Sequence, residues 1–122
     1  LLKKFKRKSV SMLNLNEVKN NLSHFDQVEI FNIEYDGLNA CYNLTLVFSK
    51  DLFDLGSERL SITFFCLSSL TLHDSFQSNF QQFMSLTIEK DNNKWENVGY
   101  EVRQIEDDNL IFKCKSFSAY LI

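Results

Sequence analysis

The 122-residue chain reads as an α+β protein, mainly antiparallel β, with six to seven short strands forming a sandwich or partly open barrel and one N-terminal helix. Three observations predict this. Aromatic residues make up 14% of the chain, led by 12 Phe, and such residues suit pleated, half-buried surfaces. Apolar residues alternate with period two through most of the chain. The connections between the alternating runs are too short for crossover helices, so the strands must pair mainly antiparallel.

The helix comes first. Leu15, Val18, Leu22 and Phe25 recur at spacings of three, four and three, which makes one apolar stripe. Asn14 can cap it, with Glu17 three residues on as in a capping box, and the helix should end near Ser23 or His24. Placed against a sheet, it would cover one end or one open edge.

Residues 28–35 form the first strand. They are apolar on both faces, which suggests a central position, and Asp36-Gly37 ends the run with a turn signal. Residues 39–48 alternate most clearly, with Tyr42, Leu44, Leu46 and Phe48 on one face. Leu60, Ile62, Phe64 and Cys66 continue the pattern. After Ser68-Ser69 the apolar face resumes at Leu70 and Leu72, as one bent strand or two short ones with a bulge near Ser68. Residues 73–82 read as a loop or a single helical turn. Further strands hold Met84, Leu86 and Ile88, then Val98, Tyr100 and Val102. A last strand begins at Leu110, Phe112 and Cys114 and runs almost to Ile122. With no Pro and 3 Gly, the turns fall to Asn, Asp and Ser.

The length fits one domain, expected over residues 12–122, which would bury roughly 60–70% of its unfolded surface. Residues 1–11 are a basic tail containing Lys3, Lys4, Lys6, Arg7 and Lys8. The net charge of −3 becomes −8 once those five are set aside. Cys41, Cys66 and Cys114 are odd in number and widely spaced, which indicates neither a disulfide scaffold nor a zinc site, and reduced thiols in the cytoplasm are expected. There is no apolar run long enough to span a membrane and no secretory signal pattern.

Catalytic residues, cofactors and metal ligands are not expected. His73-Asp74-Ser75 has the letters of a triad, but neighbours in sequence cannot readily converge as nucleophile, base and orienter. His24 and Asp26 read as a local hydrogen-bonded pair at the end of the helix. No glycine-rich phosphate cradle is present. Cys66 and Cys114 share the parity of apolar strand faces and read as core residues, whereas Cys41 should be more accessible.

The acidic loops carry the remaining information. They hold Asp51, Asp54 and Glu58, then Glu89 and Asp91, then Glu96, Glu101, Glu106, Asp107 and Asp108. Such loops would repel nucleic acid and favour a basic protein partner, although acidic loops also serve solubility alone. Trp95 could anchor an interface or cap the core. The candidate partner-binding residues are therefore Trp95, Glu96, Glu101, Glu106, Asp107 and Asp108.

The order of features from Phe25 onward resembles a family of small, mostly uncharacterised bacterial β-rich proteins that includes predicted immunity proteins of polymorphic toxin systems. The residues carrying the likeness are Phe25-Asp26-Gln27-Val28-Glu29-Ile30, Ile62-Thr63-Phe64 and Ser69-Leu70-Thr71-Leu72. After them come the run from Lys94-Trp95-Glu96 to Val102, Glu106, and Leu110-Ile111-Phe112-Lys113-Cys114. Where such proteins often have His-Asp, this chain has Phe25-Asp26. The resemblance implies a small α+β protein that neutralises a cognate toxin by binding it, with no catalytic residues.

The leading expectation is thus a protein-binding module, an immunity protein that neutralises a basic, nuclease-like toxin stoichiometrically, acting as a monomer or homodimer without nucleic acid or membrane. The alternative is a small-molecule-binding or enzymatic β domain with a pocket between the sheets lined by Phe64, Tyr100, Phe112 and Tyr120. A third reading is a homo-oligomeric structural subunit, for which an exposed edge strand or apolar patch would be the sign.

Overall fold

The computed structural model describes residues 11–51, 53, 56–73, 85–91, 99–105 and 108–122. Among them one helix, α1 (Leu15–Leu22), precedes eight strands: β1 (Gln27–Asp36), β2 (Cys41–Ser49), β3 (Leu60–Phe65), β4 (Ser69–Leu72), β5 (Leu86–Asp91), β6 (Gly99–Gln104), β7 (Leu110–Cys114) and β8 (Ser116–Leu121). They form two four-stranded antiparallel sheets, ordered β1-β2-β3-β8 and β4-β7-β6-β5. Neither sheet closes on itself, so the α+β sandwich is the form adopted. The expected strands at Met84 and Val98 are β5 and β6, and both of those residues lie outside the described ones.

The strand count exceeds the expectation because two runs change sheets. The break between β3 and β4 falls at residues 66–68, close to Ser68 as the sequence suggests. The last run also breaks, at Lys115, giving β7 and β8 in place of one long strand. These two crossings are bonded to each other: the N–H of Lys115 donates to the Phe65 carbonyl and that of Ser68 to the Lys113 carbonyl, both at 2.9 Å. The β3–β8 and β4–β7 pairs are thus one ribbon folded over a shared corner.

The core lies between the two sheets. Period two turns Leu44, Leu46, Leu60 and Ile62 of one sheet toward Ile88, Val102 and Leu110 of the other, all essentially inaccessible to solvent. The Phe64 and Phe112 rings meet edge to face across the core at 4.9 Å, and Tyr100 meets Phe117 in the same way at 5.0 Å.

Helix α1 starts as the sequence predicts. Asn14 Oδ1 accepts from the Glu17 N–H, and Glu17 Oε1 accepts from the Asn14 N–H, each at 2.9 Å. Its stripe buries Val18 and Leu22, with Phe25 just beyond. Each such side chain contributes about 1.5–3 kcal/mol relative to exposure. The helix spans the gap between the β8 edge of one sheet and the β5 edge of the other. Leu13 donates to the Ala119 carbonyl at 2.8 Å, and Lys19 pairs with Glu89 of β5 at 3.1 Å. Backbone bonds from His24 and Phe25 to the Asn21 carbonyl close the helix end. The expected His24–Asp26 hydrogen bond is not formed.

The first strand is not central: β1 is an edge. A bulge between Val28 and Ile30 shifts its register, so that Val28 faces Phe48, Ile30 faces Val47 and Phe31 faces Leu46. That shift spreads apolar residues over both parities and mimics the signature of a strand buried on two sides. The turn after Asp36 falls where expected, but it is a four-residue connection whose left-handed residue is Ala40, not Gly37.

Candidate interaction site

On the side opposite α1, the core-facing surface stays open. Ile33 stands opposite Leu44, and Tyr42 lies two residues before it, so both share the face that buries Leu44 and Leu46. Leu70 and Leu72 stand opposite Phe112 and Leu110, and therefore face the core side of their own sheet. Yet Ile33, Tyr35, Tyr42, Leu70 and Leu72 are 39, 60, 54, 38 and 40% exposed. At roughly 200 Å² per large side chain, this is roughly 450 Å² of apolar surface, as large as the largest patch on typical monomers. The opposing sheet simply does not reach these residues.

Ile33, Tyr42, Leu67 and Leu70, with Ser68 and Ser69, line an open groove of about 370 Å³ between edge strands β1 and β4. Tyr35 extends it, its ring meeting that of Tyr42 edge-on at 5.3 Å. Below the groove the β3–β4 corner is held rigidly. Cys66 adopts a left-handed conformation (φ 55°), its N–H donates to Asn43 Oδ1 at 2.9 Å, and the Leu67 N–H donates to the Tyr42 carbonyl at 2.9 Å. A disulfide joins Cys66 to Cys41, directly before Tyr42, with their Cα atoms 5.0 Å apart.

The disulfide corrects the cysteine reading. Cys66 is not a core thiol and Cys41 is not free, because the β3–β4 corner brings them together across the start of β2. A reducing compartment thereby loses its support. Cys114 is buried as expected, and burial pushes its thiol up to about 12.

Asp36 closes the β1–β2 turn. Its carboxylate accepts from the Asn39 side chain at 2.8 Å and from the backbone N–H groups of Leu38 and Asn39. The Asn39 side chain, followed by these backbone donors, holds its pKa below the ordinary value. Asn43 Nδ2 reaches the same carboxylate at 3.5 Å, which links the turn to the Cys66 corner.

Among the residues singled out from sequence, Trp95, Glu96, Glu106 and Asp107 lie outside the described residues. The structure brings Glu101 and Asp108 together on Arg103. Asp108 is bidentate to its Nε and Nη2 at 3.0 and 3.3 Å, and Glu101 sits 3.5 Å from its Nη1. The hydrogen bonds and charge of Asp108, with Glu101 behind, raise the pKa of that guanidinium. Glu89 is likewise paired with Lys19, Asp91 with Lys113 and Glu29 with Arg59. These acidic groups are therefore compensated within the chain. Glu34 and Asp36, beside the groove, have no basic partner among the described residues.

The four residues expected to line an inter-sheet pocket do not do so: Phe64 and Phe112 fill the core, Tyr100 packs on Phe117, and Tyr120 lies on the outer face opposite Ser61. A hollow of about 330 Å³ does lie between α1 and β5, near Leu22, Asp26 and Ile105. Its Lys19 is engaged by Glu89, and the Asp26 carbonyl accepts from Ser85 at 3.2 Å. His73 is held through its backbone N–H to the Asn109 carbonyl, and Asp74 and Ser75 lie outside the described residues. No described helix is long and apolar enough to cross a membrane.

Alternation places Ile33, Tyr42 and Leu70 on strand faces but does not reveal that they form a surface. The available signal was Tyr at both Tyr35 and Tyr42, a ring with an apolar body and a polar tip, where a sealed core would take Phe or Leu. No protein-family model, curated protein or solved structure matches this chain.

Proposed function

We propose that this chain is a stoichiometric protein-binding module, an immunity protein that neutralises a basic, nuclease-like toxin, and that it meets its partner through the groove between β1 and β4. The observation that carries this reading is the open, core-facing apolar surface of Ile33, Tyr35, Tyr42, Leu70 and Leu72. A patch of this extent on a monomer is often a functional contact surface. The disulfide and the Asn43 bonds preorganise its floor, which lowers the ordering cost of association. Net negative charge suits a basic partner and speeds the encounter. No catalytic role is assigned to any residue.

The test is co-expression with a basic, nuclease-like toxin from the neighbouring genes, sought by sequence, followed by light scattering of the purified pair. Wild type should protect the cells and form a one-to-one complex. Tyr42→Glu and Leu70→Glu should each weaken the complex by ~100-fold while leaving circular dichroism and the thermal midpoint near wild type, as expected for a central interface position. Absence of both protection and complex overturns the reading. A copurified small molecule in the hollow between α1 and β5 would favour the ligand-binding alternative.

A further inference from the structure

The outer edge of β1 runs along the groove at Ile33–Tyr35, and its backbone groups there are oriented for a further strand. The Tyr42 carbonyl is turned toward the β3–β4 corner, where it accepts from Leu67. In an antiparallel ladder, residues alternate between exchanging backbone hydrogen bonds with the residue opposite and pointing those groups away. Tyr35, opposite Tyr42, therefore points its N–H and C=O away from β2, and alternation places those of Ile33 the same way. Neither residue has a backbone partner on that side among the described residues. Their side chains enter the groove, while Glu34 and Asp36 fall on the other face of the same edge. One edge thus offers unpaired backbone groups, an apolar trough on one face and two uncompensated carboxylates on the other.

We propose that the partner is recognised as an extended segment that adds to the outer edge of β1 at Ile33–Tyr35, with alternate apolar side chains in the groove and alternate Lys or Arg side chains toward Glu34 and Asp36. Backbone pairing supplies affinity and the alternating side chains supply specificity. This rests on the groove being the partner site and adds the chemistry of its occupant. A second copy of the chain fits less well, because antiparallel pairing of two β1 edges would bring Glu34 and Asp36 close to their own copies, and like charges across strands repel.

The disulfide-intact protein and an alternating Lys/Val octapeptide provide the test, read by amide hydrogen exchange with assigned NMR signals. The peptide should slow exchange at the Ile33 and Tyr35 N–H groups by at least ~10-fold at saturation. Replacing Lys by Glu should weaken binding by ~10-fold or more, and Glu34→Lys should shift the preference toward the Glu peptide. N-methylation of the peptide nitrogens that face β1 should abolish the protection. Binding without slowed exchange at Ile33 and Tyr35, or equal binding by the N-methylated peptide, overturns strand addition. So does concentration-dependent protection at these amides in the free protein, which would assign the edge to a second copy. If Tyr42→Glu loses the toxin while Ile33 and Tyr35 still exchange freely in the wild-type complex, the groove stands as the partner site and strand addition fails. Peptide protection at these amides together with a toxin complex indifferent to Tyr42→Glu would mean the reverse: the edge takes a strand, and the toxin binds elsewhere.

Discussion

Asn43 shows how one polar side chain can hold a corner. Its Oδ1 accepts from the Cys66 N–H and its Nδ2 reaches the Asp36 carboxylate, so it links two turns distant in sequence. Beside it, the Cys41–Cys66 bond closes a loop with a sequence separation of 25, which in the chain-entropy view contributes about 3.5 kcal/mol. Thiol chemistry separates the three cysteines. Iodoacetamide at about pH 8 should leave the native, unreduced protein unlabelled, because Cys41 and Cys66 are bonded and the buried Cys114 titrates only near 12. After reduction without denaturant, mass spectrometry should find label on Cys41 and Cys66 and none on Cys114. Label on Cys41 before reduction would show that the pair is open in solution.

Helix α1 and strand β6 each depend on a single residue for a different reason. At the helix the capping box satisfies backbone donors that have no intrahelical partner, so Asn14→Ala should cost about 1 kcal/mol in urea unfolding. At β6 the requirement is space: a Cβ on Gly99 would run into the carbonyl oxygen of Cys114, just before the β7–β8 crossing. Gly99→Ala should therefore cost about 1–3 kcal/mol, and a change within a few tenths would show that the corner gives way instead. The cap was legible in sequence because its partners are three residues apart. The Gly99 contact was not, since it lies between residues fifteen positions apart whose meeting depends on how two strands pair. The same holds for β1, whose bulge at Val28–Ile30 is a property of its pairing with β2.

Across the whole molecule, two of the six strand pairings among the described residues join distant parts of the chain. β3 pairs with β8 and β4 with β7, so the shared corner forms only after distant parts of the chain meet. Loop-closure entropy must be met before those contacts stabilise anything, so refolding with the disulfide intact should take milliseconds to seconds in stopped-flow fluorescence. Submillisecond folding would indicate that local structure dominates. The two long sides of the sandwich also differ. The β5–β8 side is closed by α1, whereas the β1–β4 side presents the groove.

The α+β class, the helix with its cap, the antiparallel strands and the break near Ser68 can all be read from the order of residues, because each is written in local periodicity, capping or turn chemistry. Which period-two faces are covered follows only from how the sheets stack. Leu44 and Tyr42 share one face of the same strand, yet Leu44 is sealed and Tyr42, nearer the end of β2, is half exposed. Long-range packing also brings Cys41 to Cys66, Lys19 to Glu89 and Arg59 to Glu29, while Glu34 and Asp36 are left without a basic partner among the described residues. Burial, pairing and charge compensation depend on what arrives from elsewhere in the chain, and alternation within one strand carries no record of that.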